Sequence, residues 1–433
     1  MSDKPTISIF GLGRLGLPMA AVSAARGYNV IGVDIDGAKV AAVNRGEAPF
    51  FEPDLKEWMG LAQGRLTATA SPGKAVAESQ ISFVFVPTPT VKGGAFSAEY
   101  VLKVCKEIGW ALRRKESYHL VVIRSTIMPG DTETVVRGVL EQASDKDCGP
   151  DFGLCYNPEI LALGSVIHDL LHPRFVFWGE SDVWAGDLLE GFYRELVGDQ
   201  VPIVRTSFAN AELAKMMYNT YMMTKVTFAN QWARICERVP GADVDVLSDI
   251  VGLDERIHRS MLTGGAGYGG TCWPRDEKAM AALAERYSFD NYLLEAVVGI
   301  NDGEFERLRD LVCDALPSGG IVGILGLAFK LGTPETAGSI AMRLQWLLES
   351  RGGHTVIGYD PLVGGMGPVE PTSAQDCVNR SAVVVVTLPD KAYKEVEFHR
   401  WQTVIDCWRV LDGDAVRASG ATYVPLGRCS DGS

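Results

Sequence analysis

Cys272, in the stretch "GAGYGGTCWPRD", is the residue of this sequence best suited to nucleophilic chemistry. A carboxylate, Asp276, follows four positions later, which is about one turn away if a helix begins there. No second cysteine or histidine stands at zinc-ligand spacing, so no metal site is predicted. Glycine at this density is typical of backbone that turns tightly or approaches another group closely. The stretch is therefore a candidate for presenting one thiol to a ligand.

A lysine and an asparagine form a second candidate pair. Residues 207–238 contain neither Pro nor Gly, and their apolar spacing predicts one long helix. Lys215 and Asn219 are four residues apart, so they share one face of that helix. A helical lysine is usually solvated, but the neighbouring residues Met216–Tyr218 predict a well-covered helix. This favours a lysine that is placed for function.

The N-terminal segment has the pattern of a dinucleotide site. The strand "TISIF" runs into "GLGRLG" and an Ala-rich helix, and the strand "NVIGVDID" carries an acidic residue about 20 positions beyond the loop. Glycines there let backbone N–H groups reach a pyrophosphate at the helix N-terminus. Asp34 would accept the ribose hydroxyls and repel a 2′-phosphate, which favours NAD over NADP. The predicted cofactor-binding residues of this segment are Gly11, Gly13, Leu15, Gly16 and Asp34.

Two more strands, "ISFVFVPTPT" and "LVVIRSTIMPG", end in hydroxyl residues. The carboxyl ends of parallel strands line the ligand crevice of such a sheet, so Thr88 and Thr126 are candidate site residues. A capping hydroxyl without a ligand explains each of them equally well.

The C-terminal part starts a second strand–helix–strand pattern after "LPSGG", in which Asp360 closes the strand "HTVIGYD". It has too few glycines after its first strand to copy the first nucleotide site. We expect an α/β protein with two Rossmann-like, doubly wound domains joined by a long central helix and a helical middle domain. The predicted domains are residues 1–205, 206–315 and 316–433.

Composition excludes several classes of function. The net charge of −13 argues against nucleic acid and against an anionic membrane surface. No apolar run approaches the ~20 residues that span a bilayer, and the N-terminus lacks a signal-peptide pattern. Nine scattered cysteines, an odd number, suggest reduced thiols. We expect a soluble, cytoplasmic protein.

Taken in order, the motifs resemble the UDP-glucose/GDP-mannose dehydrogenase family, which oxidises C6 of a nucleotide-linked hexose to a carboxylate with two NAD. The resemblance spans almost the whole chain. Its motifs are "GLGRLG" with "VDID", "VNRGEAPFFEP", "VPTPT", "RSTIMPG", "YNPEIL", "NAELAKMMYN", "GLDERI", "GYGGTCWPRD", "GLAFK" and "YDP".

This resemblance gives the thiol a role. An aldehyde intermediate cannot lose a second hydride until a donor adds to it. A thiolate at Cys272 would form a thiohemiacetal, which loses hydride to become a thioester that water opens. The surrounding glycines would permit close approach of the hexose. A buried, inert cysteine is the alternative reading.

The resemblance also implies roles for other residues. Lys215 would stabilise oxyanions at C6, and Asn219 would bind the same centre or an ordered water. Thr126 and Asp276 would hold that water and the lysine, and Glu159 would be the base for thioester hydrolysis. Arg256 would reach the substrate of a neighbouring subunit, which implies a homodimer. The remaining cofactor or substrate contacts would come from Leu161, Tyr268, Gly269, Arg275 and Lys330.

The sequence departs from the family pattern at Ala162, Leu163, His258, Arg275 and Ala337, which weakens the assignment of a sugar. His258 stands where the family commonly has glycine, and Arg275 stands where its motif has lysine. UDP-glucose is the first choice of substrate, ahead of UDP-N-acetylhexosamines and GDP-mannose. Two other functions stay open. A hydroxyacid dehydrogenase would need one NAD and no thiol, and a non-catalytic NAD-sensing or scaffold protein would show no turnover.

Overall fold

The computed structural model describes residues 4–351 and 353–429. The chain divides into two compact units. The first contains the residues through Tyr218 together with Lys278–Tyr287, and the second contains Asn219–Glu277 and the residues from Ser288 onward. Each unit is built around one sheet, of eight strands in the first unit and six in the second.

The strands of the first unit are β1 Ile7–Phe10, β2 Val30–Val33, β3 Leu66–Thr69, β4 Ile81–Val84, β5 Leu120–Ile123, β6 Gly153–Tyr156, β7 Val176–Glu180 and β8 Ile203–Thr206. Their spatial order is β3-β2-β1-β4-β5-β6-β7-β8. All neighbours are parallel except β6 and β7, which are antiparallel. The order reverses between β1 and β4, and such a switch point is where open α/β sheets bind ligands.

The helices up to the middle of the chain are α1 Gly16–Ala25, α2 Gly37–Asn44, α3 Leu55–Leu61, α4 Pro72–Glu78, α5 Glu99–Leu112, α6 Arg137–Ser144, α7 Val166–Leu171 and α8 Val183–Val197. A π-helical turn, Thr132–Val136, precedes α6. The next helices are α9 Phe208–Cys236, α10 Val244–Gly252, α11 Trp273–Tyr287 and α12 Tyr292–Ala315. The long helix α9 contains residues of both units, as α11 does.

The second unit ends in its own α/β layer: β9 Ile321–Leu325, α13 Ile340–Arg351, β10 Thr355–Asp360, β11 Gly364–Met366, α14 Ala374–Asn379, β12 Val383–Val386, β13 Thr403–Asp406, α15 Gly413–Ala418 and β14 Thr422–Pro425. A 3₁₀ turn covers Lys391–Glu395. The strand order is β11-β10-β9-β12-β13-β14, with only the β10–β11 pair antiparallel among these strands.

Both sheets carry apolar side chains on both faces. In β12, Val383 and Val385 belong to one core cluster, whereas Val384 and Val386 belong to another. Side chains alternate between the faces of a strand, so these two clusters lie on opposite sides of the sheet. The predicted fold class, two doubly wound α/β sheets, is confirmed. The predicted division at residues 205 and 315 stays a prediction. Among the described helices, none has the length and apolar character needed to cross a bilayer.

Candidate active site

The loop between β1 and α1 has the geometry of a dinucleotide-binding turn. Gly11 has a φ of 97°, and a Cβ there would overlap the Phe85 carbonyl, while a Cβ on Gly16 would overlap the Gly11 carbonyl. A Cβ on Gly13 would meet nothing within 4 Å. The outer two glycines therefore serve chain packing, and the middle one leaves open the side where a pyrophosphate would approach α1. These residues fit NAD. Leu15, the residue before α1, is half-buried against the core.

Asp34, directly after β2, binds this loop. Its carboxylate accepts the backbone N–H groups of Leu12 at 2.8 Å and Asp36 at 2.9 Å. Lys39 on α2 forms an ion pair with the same carboxylate, with 2.9 Å between Nζ and Oδ2. Burial opposes ionisation, but the hydrogen bonds from Asp36, Lys39 and Leu12 outweigh it and lower the pKa of Asp34 below its usual value. The lysine partner was not predicted, because a helical lysine has no distinguishing local pattern.

Ser125, at the end of β5, joins two strand ends. Its hydroxyl accepts the Val86 N–H at 2.9 Å and donates to the Val86 carbonyl at 2.7 Å. This bond links the loop that carries the buried Thr88 to the loop that carries the half-buried Thr126. Both threonines follow the strands that the sequence predicted. Their roles as site residues stay predictions.

Arg124 is a buried cation that sequence reasoning missed. Its guanidinium donates to the Asn157 side-chain oxygen and to the Tyr193 hydroxyl, and it lies 3.7 Å from the Glu159 carboxylate. A buried charge of this kind needs a paired opposite charge and hydrogen bonds. The cluster thereby anchors the start of the segment after β6, on which Glu159 and the half-buried Leu161 lie.

Lys215 lies against the same segment. Its Nζ donates to the Glu159 carbonyl at 2.7 Å, and the residue is only 9% exposed, as the placed-lysine hypothesis requires. The prediction that its neighbours cover the helix is wrong in part. Met216 is buried, but Met217 is 73% exposed, because consecutive helical positions point about 100° apart.

In the second unit, Cys272 stands immediately before α11. Its carbonyl accepts the N–H groups of Arg275 at 3.1 Å and Asp276 at 2.9 Å, which identifies the cysteine as the N-cap residue. The structure confirms that Asp276 lies one turn along a helix from Cys272. The buried Asp276 carboxylate accepts a hydrogen bond from the Asn219 side chain.

Cys272 is the one exposed cysteine among the nine, all of which lie within the described residues. The other thiols are buried or half-buried. Burial raises the pKa of Cys105 to about 12 and the pKa of Cys377 to about 12, and it raises that of Cys148 to about 11. Those thiols stay protonated at neutral pH. Reactivity is therefore concentrated at Cys272.

The glycines before Cys272 allow close packing within the second unit, and the approach of a hexose to them stays a prediction. A Cβ on Gly265 would overlap the Cys407 carbonyl, and one on Gly269 would overlap the Gly338 carbonyl. Gly270 has a φ of 86°, and a Cβ there would lie 2.8 Å from the Phe329 ring. The chain's own atoms fill the space beside these glycines. They let the cysteine loop pack directly on the second unit's backbone.

The other predicted contact residues of the second unit are in varied positions. The Tyr268 side chain is buried, and its hydroxyl donates to Glu277. Gly269, Arg275 and Lys330 are half-buried. Arg256 is exposed, with 88% of its side chain accessible, and pairs with Asp254. The roles of these residues as ligand contacts stay predictions.

His258, which stands where the family commonly has glycine, has a positive φ. Its φ of 58° lies in the left-handed region, where glycine is favoured and most other residues are strained. The buried Lys225 donates to the carbonyls of Ile257 and His258, at 2.9 Å each, and holds this turn. The loss of a glycine here is therefore a change in backbone strain. The other departures, at Ala162, Leu163 and Ala337, have no structural account.

The loop after β9 in the second unit resembles the glycine loop after β1 more closely than the sequence predicted. Gly326 has a φ of 101° and donates to the Tyr359 carbonyl at 2.9 Å, as Gly11 donates to the Val33 carbonyl. Asp360 accepts four backbone N–H groups, from Leu327, Ala328, Leu362 and Val363, at 2.8 to 3.2 Å. Those donors occupy its carboxylate, so this aspartate is structural.

The first unit thus has a glycine loop, an acidic strand end and a switch point, which define a dinucleotide-binding protein. Among the described residues, no group of three or more His, Cys, Asp or Glu side chains could hold a metal. The sequence matches the UDP-glucose/GDP-mannose dehydrogenase family's NAD binding domain over residues 5–197 and its central domain over residues 209–303.

Relatives agree with this match. GDP-mannose 6-dehydrogenase of Pseudomonas aeruginosa is 37% identical over 350 residues, covering 80% of this chain and 79% of that protein. UDP-glucose 6-dehydrogenase AglM of Haloferax volcanii is 36% identical over 361 residues, covering 82% and 83%. A solved UDP-glucose dehydrogenase of Pyrobaculum islandicum superposes with a TM-score of 0.89 at 28% identity, covering 99% of both chains. The chain belongs to the UDP-glucose/GDP-mannose dehydrogenase family of NAD-using, nucleotide-sugar 6-dehydrogenases.

Proposed function

We propose that the protein oxidises UDP-glucose to UDP-glucuronate in two hydride transfers through a covalent intermediate on Cys272. The observation that carries this proposal is the exposed thiol at the N-cap of α11, with Asp276 one turn along the helix. A dehydrogenase that stops at the ketone or aldehyde needs no such thiol. The hydroxyacid dehydrogenase reading therefore leaves it without a purpose.

NAD, when bound, accepts hydride from the substrate carbon. The chain's part is to hold the cofactor: the Gly11–Gly16 loop receives the pyrophosphate, and Asp34 receives the ribose hydroxyls. Thr88 follows β4, which borders the switch point, Thr126 follows the neighbouring strand β5, and Arg275 follows the thiol. The proposed cofactor set therefore has eight residues, which are Gly11, Gly13, Leu15, Gly16, Asp34, Thr88, Thr126 and Arg275.

Cys272 acts after the first oxidation. Its thiolate forms an S–C bond to the aldehyde carbon, and the carbonyl oxygen becomes an alkoxide that takes a proton, giving a thiohemiacetal. Loss of hydride to a second NAD, together with loss of the hydroxyl proton, would leave a thioester. Water then adds to the thioester carbon and gives a proton to the base Glu159. The C–S bond of the tetrahedral adduct breaks, so that the thiolate is released and a carboxylic acid forms, which ionises to the carboxylate. Asp276 and Asn219, joined by their hydrogen bond, are proposed to orient the water.

Lys215 and Glu159 complete the proposed chemistry. An ammonium has three N–H donors, and Lys215 directs one of them to the Glu159 carbonyl. The positive charge would stabilise oxyanions at C6. Arg124 lies 3.7 Å from the Glu159 carboxylate, and that carboxylate is the proposed base that takes a proton from the attacking water.

Relatives of nearly equal identity act, by name, on GDP-mannose and on UDP-glucose, so identity does not choose between these sugars. The whole-chain likeness to a UDP-glucose dehydrogenase favours UDP-glucose. GDP-mannose is the second candidate, followed by UDP-N-acetylhexosamines. Leu161, Tyr268, Gly269 and Lys330 are the proposed additional sugar-nucleotide contacts.

We further propose a homodimer. In the second unit, α9 exposes Tyr221, Phe228, Trp232 and Ile235, each 43 to 56% accessible, at spacings that place them along one side of the helix. Nearby in sequence, α10 exposes Val246 and Ile250. Apolar surface of this extent marks an interaction site, and a second copy of the chain is the proposed occupant. Arg256, exposed beyond α10, would complete the neighbour's substrate site.

The decisive experiment supplies NAD with UDP-glucose, UDP-N-acetylglucosamine or GDP-mannose and measures NADH and uronic acid. We expect two NADH and one carboxylate per UDP-glucose, with little free aldehyde. Cys272→Ala should reduce acid formation by orders of magnitude, about 10⁴-fold or more, with NAD affinity unchanged. Cys313→Ala, at a half-buried thiol, is the matched control and should leave activity intact.

Glu159→Gln should stall at a later step, so that intact mass shows a sugar adduct on Cys272. Mixing inactive Arg256→Ala and Cys272→Ala chains should restore part of the activity if one hybrid site keeps both residues. One NADH per sugar, or full acid production by Cys272→Ala, would return the hydroxyacid-type function to first place. A monomer with full activity would refute the dimer proposal.

A further inference from the structure

Glu212 is a buried carboxylate on α9 to which neither the sequence motifs nor the proposed chemistry assigns a role. It is fully buried, and it lies three residues, or about one turn, before Lys215. Its Oε2 accepts the Gly130 N–H at 2.6 Å. Its Oε1 accepts both the N–H of Thr132 at 2.9 Å and the hydroxyl of Thr132 at 2.6 Å.

These three donors belong to one segment. It begins after β5 with Ser125 and Thr126, passes Gly130, and enters the π-helical turn that starts at Thr132. Isolated π-turns are frequent at functional sites, because they re-aim the residues around them. One side chain of α9 therefore fixes the end of the loop on which Thr126 lies.

The charges around Glu212 make its burial costly. Asp131, which precedes Thr132 in the loop segment, repels the negative charge of Glu212. Arg286 on α11 offsets part of the Asp131 charge. Burial raises the pKa of Glu212, and the hydrogen bonds from Thr132 and Gly130 oppose that rise. An apolar side chain would avoid the cost of burying a charge, but it would leave the three donors of Gly130 and Thr132 unpaired. The carboxylate supplies what an apolar group cannot, a fixed geometry for three donors.

We infer that Glu212 is a positioning residue that holds the turn of α9 carrying Lys215 in register with the loop carrying Thr126. This inference rests on the proposed function of those two residues. Glu212 acts through them and does not touch substrate. Since a misplacement of about 1 Å can cost about 100-fold in rate, a loosened register should reduce turnover more than it reduces binding.

Glu212→Gln keeps the shape but turns one acceptor into a donor that faces an N–H group. We expect kcat to fall about 10- to 100-fold, with the KM for NAD within about twofold and the acidic limb of the kcat–pH profile flattened. Thr132→Val removes only the hydroxyl donor and should lower kcat less, whereas Thr132→Ser should restore it. Glu133→Gln is the matched control, because Glu133 lies in the same turn but is exposed and pairs with Arg137.

Thr132→Val and Thr132→Ser keep the test available if Glu212→Gln fails to fold. A reduced melting temperature with unchanged kcat, in Glu212→Gln or in Thr132→Val, would overturn the inference and leave a structural role only. Wild-type protein without turnover on any nucleotide sugar would instead overturn the proposed function. In that case amide hydrogen exchange tests whether Glu212 holds the loop. Glu212→Gln should speed exchange at the N–H groups of Gly130 and Thr132, and unchanged exchange rates would refute a role for this contact.

Discussion

Cofactor choice should depend on a pair of charges, Asp34 and Lys39, and on neither alone. The two side chains form an ion pair at 2.9 Å, with 8% and 24% of their side chains exposed. A 2′-phosphate beside Asp34 would face one repelling and one attracting charge. Two unit charges about 4 Å apart interact by about 4 kcal/mol at an effective dielectric constant of about 20. Partial exposure of Lys39 reduces this to roughly 1–3 kcal/mol.

Asp34→Asn is the sharpest perturbation, because the amide oxygen can still accept the Leu12 N–H, which alanine would leave unpaired. NAD should lose about 1–2 kcal/mol of binding, the difference between a charged and a neutral hydrogen-bond acceptor. NADP should gain, since Lys39 no longer has a carboxylate partner. The NAD-over-NADP ratio should fall about 10- to 100-fold. Lys39→Met should instead widen the ratio.

Equilibrium titration of each variant with NAD and NADP, without sugar, measures the ratio directly and does not depend on the substrate assignment. The double variant Asp34→Asn/Lys39→Met should bind both cofactors weakly with a ratio near one. A wild-type protein that binds both equally, or an Asp34→Asn variant that keeps the full preference, would refute the reasoning. Additive effects of the two substitutions would show that the ion pair does not couple them.

Three further predictions concern single residues. Burial lowers the pKa of His119 to about 3, whereas an unfolded histidine has a pKa of about 6.5. Between these two pKa values the unfolded chain binds one proton more than the folded chain, so the free energy of unfolding should fall with decreasing pH by up to about 1.4 kcal/mol per pH unit. Urea titrations at pH 7 and pH 5 check this, and His119→Gln should flatten the pH dependence. His258→Gly should raise the free energy of unfolding by about 0.5–1 kcal/mol by relieving its positive φ, and a lower melting temperature would contradict that. Substoichiometric iodoacetamide should label Cys272 first in peptide mass maps; earlier labelling of Cys105 would show that burial does not control reactivity here.

Features set by local sequence could be predicted, and features made by distant contacts could not. Gly11 and Asp34 follow from a strand–loop–helix–strand pattern confined to about 30 residues. Arg124 forms hydrogen bonds with Asn157 and Tyr193, which lie 33 and 69 positions away in the sequence. No local spacing therefore predicts this cluster. The glycines before Cys272 were recognised as unusual. Glycine density alone does not distinguish a close approach within the folded chain from the approach of a ligand, because both require the same residue type.

Asp34 and Asp360 show that one turn, in which an aspartate accepts hydrogen bonds from a neighbouring loop, can serve two purposes. Both aspartates end the second strand of a parallel pair and accept N–H groups from the loop after the first strand. Asp34 accepts two backbone donors and Lys39, and α1 begins within four residues of Leu12, so a helix N-terminus stands beside the open Gly13. Asp360 accepts four backbone donors, and α13 begins only at Ile340, far beyond its loop. The same turn therefore fits a dinucleotide in the first unit, whereas in the second unit it stabilises the chain itself.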